Sequence, residues 1–220
     1  MMKILGLALA LGMSAGSWAN APLVGNPLTV SAESGLDVGQ KAPLLDREMP
    51  GVDGLNHTIN STMGTHGTVV VFSCNTCPFV VGNGEKSEGW EGRYNELAAR
   101  LESLGFGMIL VNSNEAKREG VDSMSAMVEH AKAAEYTVPY VVDANHELAD
   151  AFGAMKTPHV FMLDASGTLV YTGAIDDNVN RANDVTERYV LDAAKSVSRG
   201  VAISIPSTPA VGCSIKRIGA

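Results

Sequence analysis

The run Thr68-Val69-Val70-Val71-Phe72 stops at Ser73, and Cys74-Asn75-Thr76-Cys77-Pro78-Phe79 follows at once. Five β-branched or aromatic residues in succession leave no polar face for water. Such a run reads as a fully buried strand of a parallel sheet, covered on both sides. The two cysteines stand where that strand ends and a new segment opens. A C-x-x-C at a strand-to-helix junction reads as a dithiol redox site. The placement predicts Cys74 at a helix N-terminus, where unpaired N–H groups and the helix dipole favour the thiolate. Cys77 is expected one turn further in, close enough to close a disulfide.

The rest of the chain supplies neighbours for this strand. Before it, the turn signals Pro50-Gly51 and Asp53-Gly54, then the alternation His57-Thr58-Ile59, predict a short hairpin. After it, Gly82, Gly84, Gly89 and Gly92 interrupt any helix, so the first helix is expected to be broken there. Trp90, Tyr94, Leu97, Leu101 and Leu104 then follow a helical period that Gly105 closes. Gly107 to Asn112 reads as a second buried strand. Met124, Met127, Val128 and Ala131 mark a helical face, with Asp122 or Ser123 as its cap. Val138 to Val142 is a short extended piece, and His146 to Phe152 a short helix ended by Gly153. His159 to Leu163 and Thr168 to Thr172 read as strands joined through Asp164-Ala165-Ser166-Gly167. Asp184 with Glu187 predicts a capping box for a last helix reaching Ser198. The order is a βαβ unit followed by a ββα unit around one mixed sheet, an α/β fold flanked by helices.

Residues 1–19 read as a signal peptide and not as part of the fold. Lys3 is a minimal basic region, Ile4 to Met13 an uncharged apolar one, and cleavage is expected after Ala19 or Ala21. The apolar run is too short to span a bilayer, so no stable membrane insertion is expected once it is removed. Residues 20–36 read as an irregular lead-in, 37–200 as the domain and 201–220 as a C-terminal tail. The expected location is periplasmic or secreted, where a cysteine pair can persist as a disulfide. With a net charge of −8 and no Lys/Arg block, nucleic-acid binding is not expected. Three cysteines, Cys74, Cys77 and Cys213, are too few for a disulfide scaffold.

Cys74-Asn75-Thr76-Cys77-Pro78-Phe79 resembles the C-N-x-C-P-[YF] signature of the bacterial thioredoxin-like redoxins (AhpC/TSA-type). Val111-Asn112-Ser113-Asn114, Thr157-Pro158-His159-Val160-Phe161, Gly173-Ala174-Ile175-Asp176-Asp177-Asn178 and Val211-Gly212-Cys213-Ser214-Ile215-Lys216 agree in order. The resemblance covers about residues 36–217 and implies a thioredoxin-like fold. It also implies a thiol–disulfide oxidoreductase that exchanges a Cys74–Cys77 disulfide with partner protein thiols and uses no cofactor or metal. Cys74 is then the nucleophile, taken as the more exposed of the pair, and Cys77 the resolving thiol. Pro158 is expected to be cis and beside the pair, leaving the Thr157 backbone to pair with an extended substrate chain. The sequence departs from the thioredoxin pattern in three ways. Ser73 stands where many such sites have Trp, no acidic residue lies in the preceding strand, and glycines interrupt the site's helix.

Blander and rival readings stand beside these. The pair could be a purely structural disulfide. Cys213 is either a lone thiol in a tail or a third redox thiol that exchanges with the pair. His159 either tunes the thiolate through its place after Pro158 or is an edge-strand residue. His57, His66, His130 and His146 show no metal-ligand spacing. Asp176 and Asp177 read as turn residues, and the methionines as core filler. A peroxide-reducing enzyme of the peroxiredoxin kind is one alternative function, although no Pro precedes Cys74 in the run 69–73. A copper-binding thioredoxin-like protein is another, through soft thiolates, although such carriers use a longer gap between cysteines.

Overall fold

The computed structural model describes residue 1 and residues 35–219. The expected leader beyond residue 1, and all but the end of the lead-in, lie outside the described residues. In chain order the elements are β1 (Met49–Pro50), β2 (Asn56–His57), β3 (Gly67–Phe72), α1 (Pro78–Val81), α2 (Tyr94–Ser103), β4 (Phe106–Asn112) and α3 (Met124–Ala133). They continue with β5 (Tyr140–Val142), α4 (Glu147–Phe152), β6 (Lys156–Thr157), β7 (His159–Asp164), β8 (Leu169–Gly173), α5 (Tyr189–Ser198) and β9 (Cys213–Ser214).

β3 is buried at every position, as its unbroken apolar run requires. It sits at the centre of a five-stranded sheet of order β5-β4-β3-β7-β8. It pairs parallel with β4 and antiparallel with β7, with Val71 opposite Leu110 on one side and Val160 on the other. β4 carries β5 in parallel, and β7 carries β8 antiparallel. The fold is therefore the α/β thioredoxin-like one, with a mixed sheet and helices around it.

Alternation along β3 divides the core in two. Val69 and Val71 face one side, packed with Leu97 and Leu101 of α2, Met127 of α3 and Val190 of α5. Val70 and Phe72 face the other, packed with Met49, Ile59, Leu148 and Phe152. Phe72, Phe152 and Phe161 meet edge-on there, with ring centroids 5.3–5.9 Å apart. Fully burying each such side chain stabilises the fold by roughly 1.5–3 kcal/mol before conformational entropy is counted.

The glycine-rich stretch breaks the helix as expected. α1 stops after four residues at Gly82, whose φ of 87° suits glycine and few other residues. A 3₁₀ turn over Glu91–Arg93 then leads into α2. Of the two caps expected for α3, Ser123 takes the place, accepting from the Ala126 N–H at 3.3 Å. Two expectations need correction. The Asp184/Glu187 capping box does not form: α5 starts only at Tyr189 and no side chain caps it. The chain before α5 is held elsewhere, with the Thr186 N–H on Asp177 Oδ1 at 3.0 Å. Val128, expected on the buried face of α3, is exposed.

Segment 201–220, expected as a tail, returns to the sheet. Thr172 of β8 accepts from the Thr208 N–H and donates to the Pro206 carbonyl. β9 then pairs antiparallel with β6. Ile215 is buried among the residues on the Phe72 side of the sheet. Among the described residues no helix is long and apolar enough to cross a membrane.

Candidate functional site

β3 delivers the chain to Ser73 and Cys74 on the same side as Val69 and Val71. Ser73 is fully buried, and its hydroxyl meets the Tyr94 hydroxyl at 3.2 Å. All three cysteines are thiols. The helix after the pair begins at Pro78, later than expected. Cys77 is its N-cap, and the Val80 and Val81 N–H groups go to the Cys77 carbonyl at 2.8 and 2.9 Å. Cys74 therefore lies a full turn outside the helix, and the dipole of so short a helix is no basis for ionising it.

Thr157 organises the thiols instead. Its carbonyl accepts from the Cys77 thiol at 2.9 Å, and its hydroxyl accepts from the Cys74 thiol at 3.3 Å. The Thr157–Pro158 peptide is cis, as the resemblance implied. Cys213 stands opposite Thr157 in the β6–β9 ladder. Thr157, Pro158 and Cys213 are thus brought to the pair.

Each thiol of the pair shifts the other. Hydrogen bonding from Cys74 draws the Cys77 thiol down to about 5, helped by the Cys213 thiol and backbone N–H and the Thr157 hydroxyl, against the cost of burial. The same hydrogen bond to Cys77, together with burial, raises Cys74. Cys74 is not the more exposed thiol: it is 2 % exposed and Cys77 4 %. Desolvation, then the bond to Cys77, pushes Cys213 up to about 11.

Beneath the pair lies a polar network that the sequence did not announce. Asp122, fully buried, accepts from the Asn75 N–H at 3.0 Å and the Asn112 amide at 2.8 Å on one oxygen. Its other oxygen accepts from the Asn114 amide at 3.0 Å. The Tyr140 hydroxyl donates to Asn75 Oδ1 at 2.8 Å and accepts from Asn112. Asp122 comes from the loop before α3, which explains how a strand without an acidic residue still has a buried carboxyl beside its dithiol. The Asn112-x-Asn114 pair at the end of β4 is the sequence signal for it: two amides at a buried strand terminus need a partner.

Asp176 does more than shape a turn. It accepts from the Trp90 indole at 2.7 Å and from Arg93 at 2.8 Å, and so anchors the glycine-interrupted segment after α1 to the end of β8. Asp177 keeps its turn role on Thr186.

His159 does not reach the thiols. It shares its side of β7 with Phe161, whose ring centroid is 4.5 Å away, on the face opposite the pair. Its Nδ1 accepts from the Met155 N–H at 3.3 Å, and Nε2 meets Thr172 Oγ1 at 3.2 Å. Burial lowers its imidazole to about 4, below the unfolded value of 6.5. The unfolded chain binds this proton first, so the contribution is whole above pH 6.5 and is lost as pH falls towards 4. Chemical denaturation at pH 7 and pH 5 is expected to differ by about 1–2 kcal/mol from this group. His159→Leu should remove that part of the slope.

Among the described residues no group of three or more His, Cys, Asp or Glu side chains is arranged to hold a metal ion.

The sequence matches the Redoxin family over residues 37–188. Two solved structures are similar along most of their length. One is an uncharacterized conserved protein from Geobacillus kaustophilus, with 28 % identity and a TM-score of 0.74, covering 84 % of this chain and 94 % of that one. The other is a hypothetical protein from Sinorhizobium meliloti 1021, with 27 % identity and a TM-score of 0.73, covering 85 % and 98 %. The peroxidoxin BcpB from Mycobacterium tuberculosis, at 12 % identity and a TM-score of 0.52 over 76 % and 98 %, shares the fold. No curated protein matches the chain.

Proposed function

We propose, from the premise that this chain belongs to the redoxin family, that it is a thiol–disulfide oxidoreductase cycling Cys74 and Cys77 between dithiol and disulfide. The observation that carries this reading is the meeting of the two thiols on Thr157, beside the cis Thr157–Pro158 peptide and at the end of a buried strand. A thiolate is the attacking species in exchange, and a neighbouring thiol is what closes the ring. One thiol of the pair attacks and the other closes the disulfide. A partner disulfide gains two electrons and becomes two thiols as the pair loses two and forms one S–S bond. In reverse, the oxidised pair takes electrons from partner thiols. Thr157 and Pro158 hold the thiols in register and serve as the wall on which a partner chain lies. The apolar leader supports a periplasmic or secreted site of action.

The rival chemistry is peroxide reduction, which the same dithiol could feed. The reduced full chain is mixed with a disulfide-bonded protein and, separately, with hydrogen peroxide. Oxidation of Cys74 and Cys77 is read by alkylation and mass. The expected result is faster oxidation by the protein disulfide. Faster oxidation by peroxide would replace this reading with a peroxidase.

A further inference from the structure

Cys74 and Cys77 are 2 % and 4 % exposed, so a large partner cannot reach either sulfur where it lies. Cys213 is half-buried and open to solvent on one side. It belongs to β9, whose register places Cys213 opposite Thr157 and Ser214 opposite Lys156. Thr157 is the residue whose carbonyl and hydroxyl take the two buried thiols. Three sulfurs thus surround one residue, and the exposed one sits on the Cys77 side. The placement is held firmly. Gly212 lies so close to the Thr157–Pro158 peptide that a Cβ would collide with the Thr157 carbonyl. The Ile215 N–H donates to the Met155 carbonyl at 3.1 Å, and the Lys216 N–H to Asn114 Oδ1 at 2.8 Å. Asn114 is the same side chain that donates to Asp122, so the segment carrying Cys213 and the loop carrying Asn75 rest on one network.

We propose that Cys213 is a third catalytic thiol, which meets the partner disulfide at the surface and relays exchange through Cys77 to Cys74. The proposal rests on the oxidoreductase reading and adds the order of the steps. Cys213 attacks a sulfur of the partner disulfide, its proton passing to the departing partner thiolate. Cys77 then attacks the Cys213 sulfur of the mixed disulfide, forming a Cys77–Cys213 bond and releasing the second partner thiolate. Cys74 attacks the Cys77 sulfur, forming the Cys74–Cys77 bond, and its proton goes to the departing Cys213. The partner has gained two electrons and the buried pair has lost two. Lys156 and Lys216 lie near enough to Cys213 to favour its thiolate as it leaves.

The test is stopped-flow oxidation of the reduced full chain by Ellman's reagent, with disulfides mapped by peptide mass. Wild type is compared with Cys213→Ser and Cys74→Ser. In Cys213→Ser the buried pair can be oxidised only when the segment over it opens. Its oxidation is expected to slow by about tenfold or more. Cys74→Ser is expected to stop with a Cys77–Cys213 disulfide. Thermal melts of both variants confirm the fold. Oxidation of Cys213→Ser at the wild-type rate would overturn the relay and leave the oxidoreductase reading standing. So would a reagent adduct on Cys77 of Cys74→Ser with no bond to Cys213. A wild-type chain that never forms the Cys74–Cys77 bond would overturn both.

Discussion

Cys77→Ala is expected to fold normally and to lose thiol exchange by a factor on the order of 10³ or more, as when a covalent nucleophile is removed. The side chain is small, and its replacement removes one sulfur from the core, so stability should fall by only about 1 kcal/mol. The chemistry has no substitute. Cys77 receives hydrogen bonds from Cys74, Cys213 and Thr157, and these draw its thiol down to about 5. Without Cys77 the pair cannot close a disulfide, and burial opposes ionisation of the Cys74 thiol that is left. Cys74→Ala should behave differently. It keeps Cys77 and Cys213, and with them the first exchange step, but cannot close the pair. Turnover of a disulfide-bonded protein, with far-ultraviolet circular dichroism as the folding control, separates the two variants. If Cys74→Ala abolished the first step and Cys77→Ala trapped partners on Cys74, the order read from the sequence, Cys74 attacking and Cys77 resolving, would hold.

Asp122→Ala is expected to be among the most destabilising single changes in the chain, by about 3–5 kcal/mol, because it leaves several buried donors without an acceptor. The carboxyl is fully buried and takes three donors: the Asn75 N–H and the Asn112 and Asn114 amides. Alanine leaves all three with no acceptor in a site that water does not reach. In a domain of this size the loss corresponds to a fall in Tm on the order of 10 °C. Differential scanning calorimetry reads it directly. The effect should also reach the site, because Asn75 lies between the two cysteines and Asn114 holds the Lys216 N–H. Alkylation of Cys74 and Cys77 is expected to quicken in the variant. A Tm within 2 °C of wild type, an interval of roughly 1 kcal/mol or less, would mean that the network is dispensable.

Much of the fold was legible because it follows from local pattern. The unbroken run 68–72 demanded a covered central strand, and it received one. The glycines at 82–92 demanded a broken helix, and Gly82 ends α1. The period through Trp90, Tyr94, Leu97 and Leu101 named the buried face of α2 and the turn before it. What escaped depends on contacts between distant segments. Asp122 meets Asn75 across 47 positions, and its nearest local reading was a helix cap. β9 has two residues, too few for any periodicity, and only its partner Thr157 shows what Cys213 is beside.

Two misreadings could have been avoided from the sequence. Proline is favoured at the first helical position, so Pro78 marks the start of α1 after both cysteines, not at Cys74. Strand alternation puts His159 on the face of Phe161, opposite Val160 and Met162. Its nearness to Pro158 in sequence therefore says nothing about nearness to the thiols.

The measurement that bears most directly on the central claim is a redox titration of the full chain. The protein is equilibrated against thiol–disulfide buffers, alkylated, and weighed as intact protein and as peptides. Cys74 and Cys77 are expected to oxidise together in one two-electron transition, at a potential above about −300 mV, where exchange with other thiols is reversible. A pair that stays closed at every accessible potential, or that never forms a disulfide, would contradict the oxidoreductase reading.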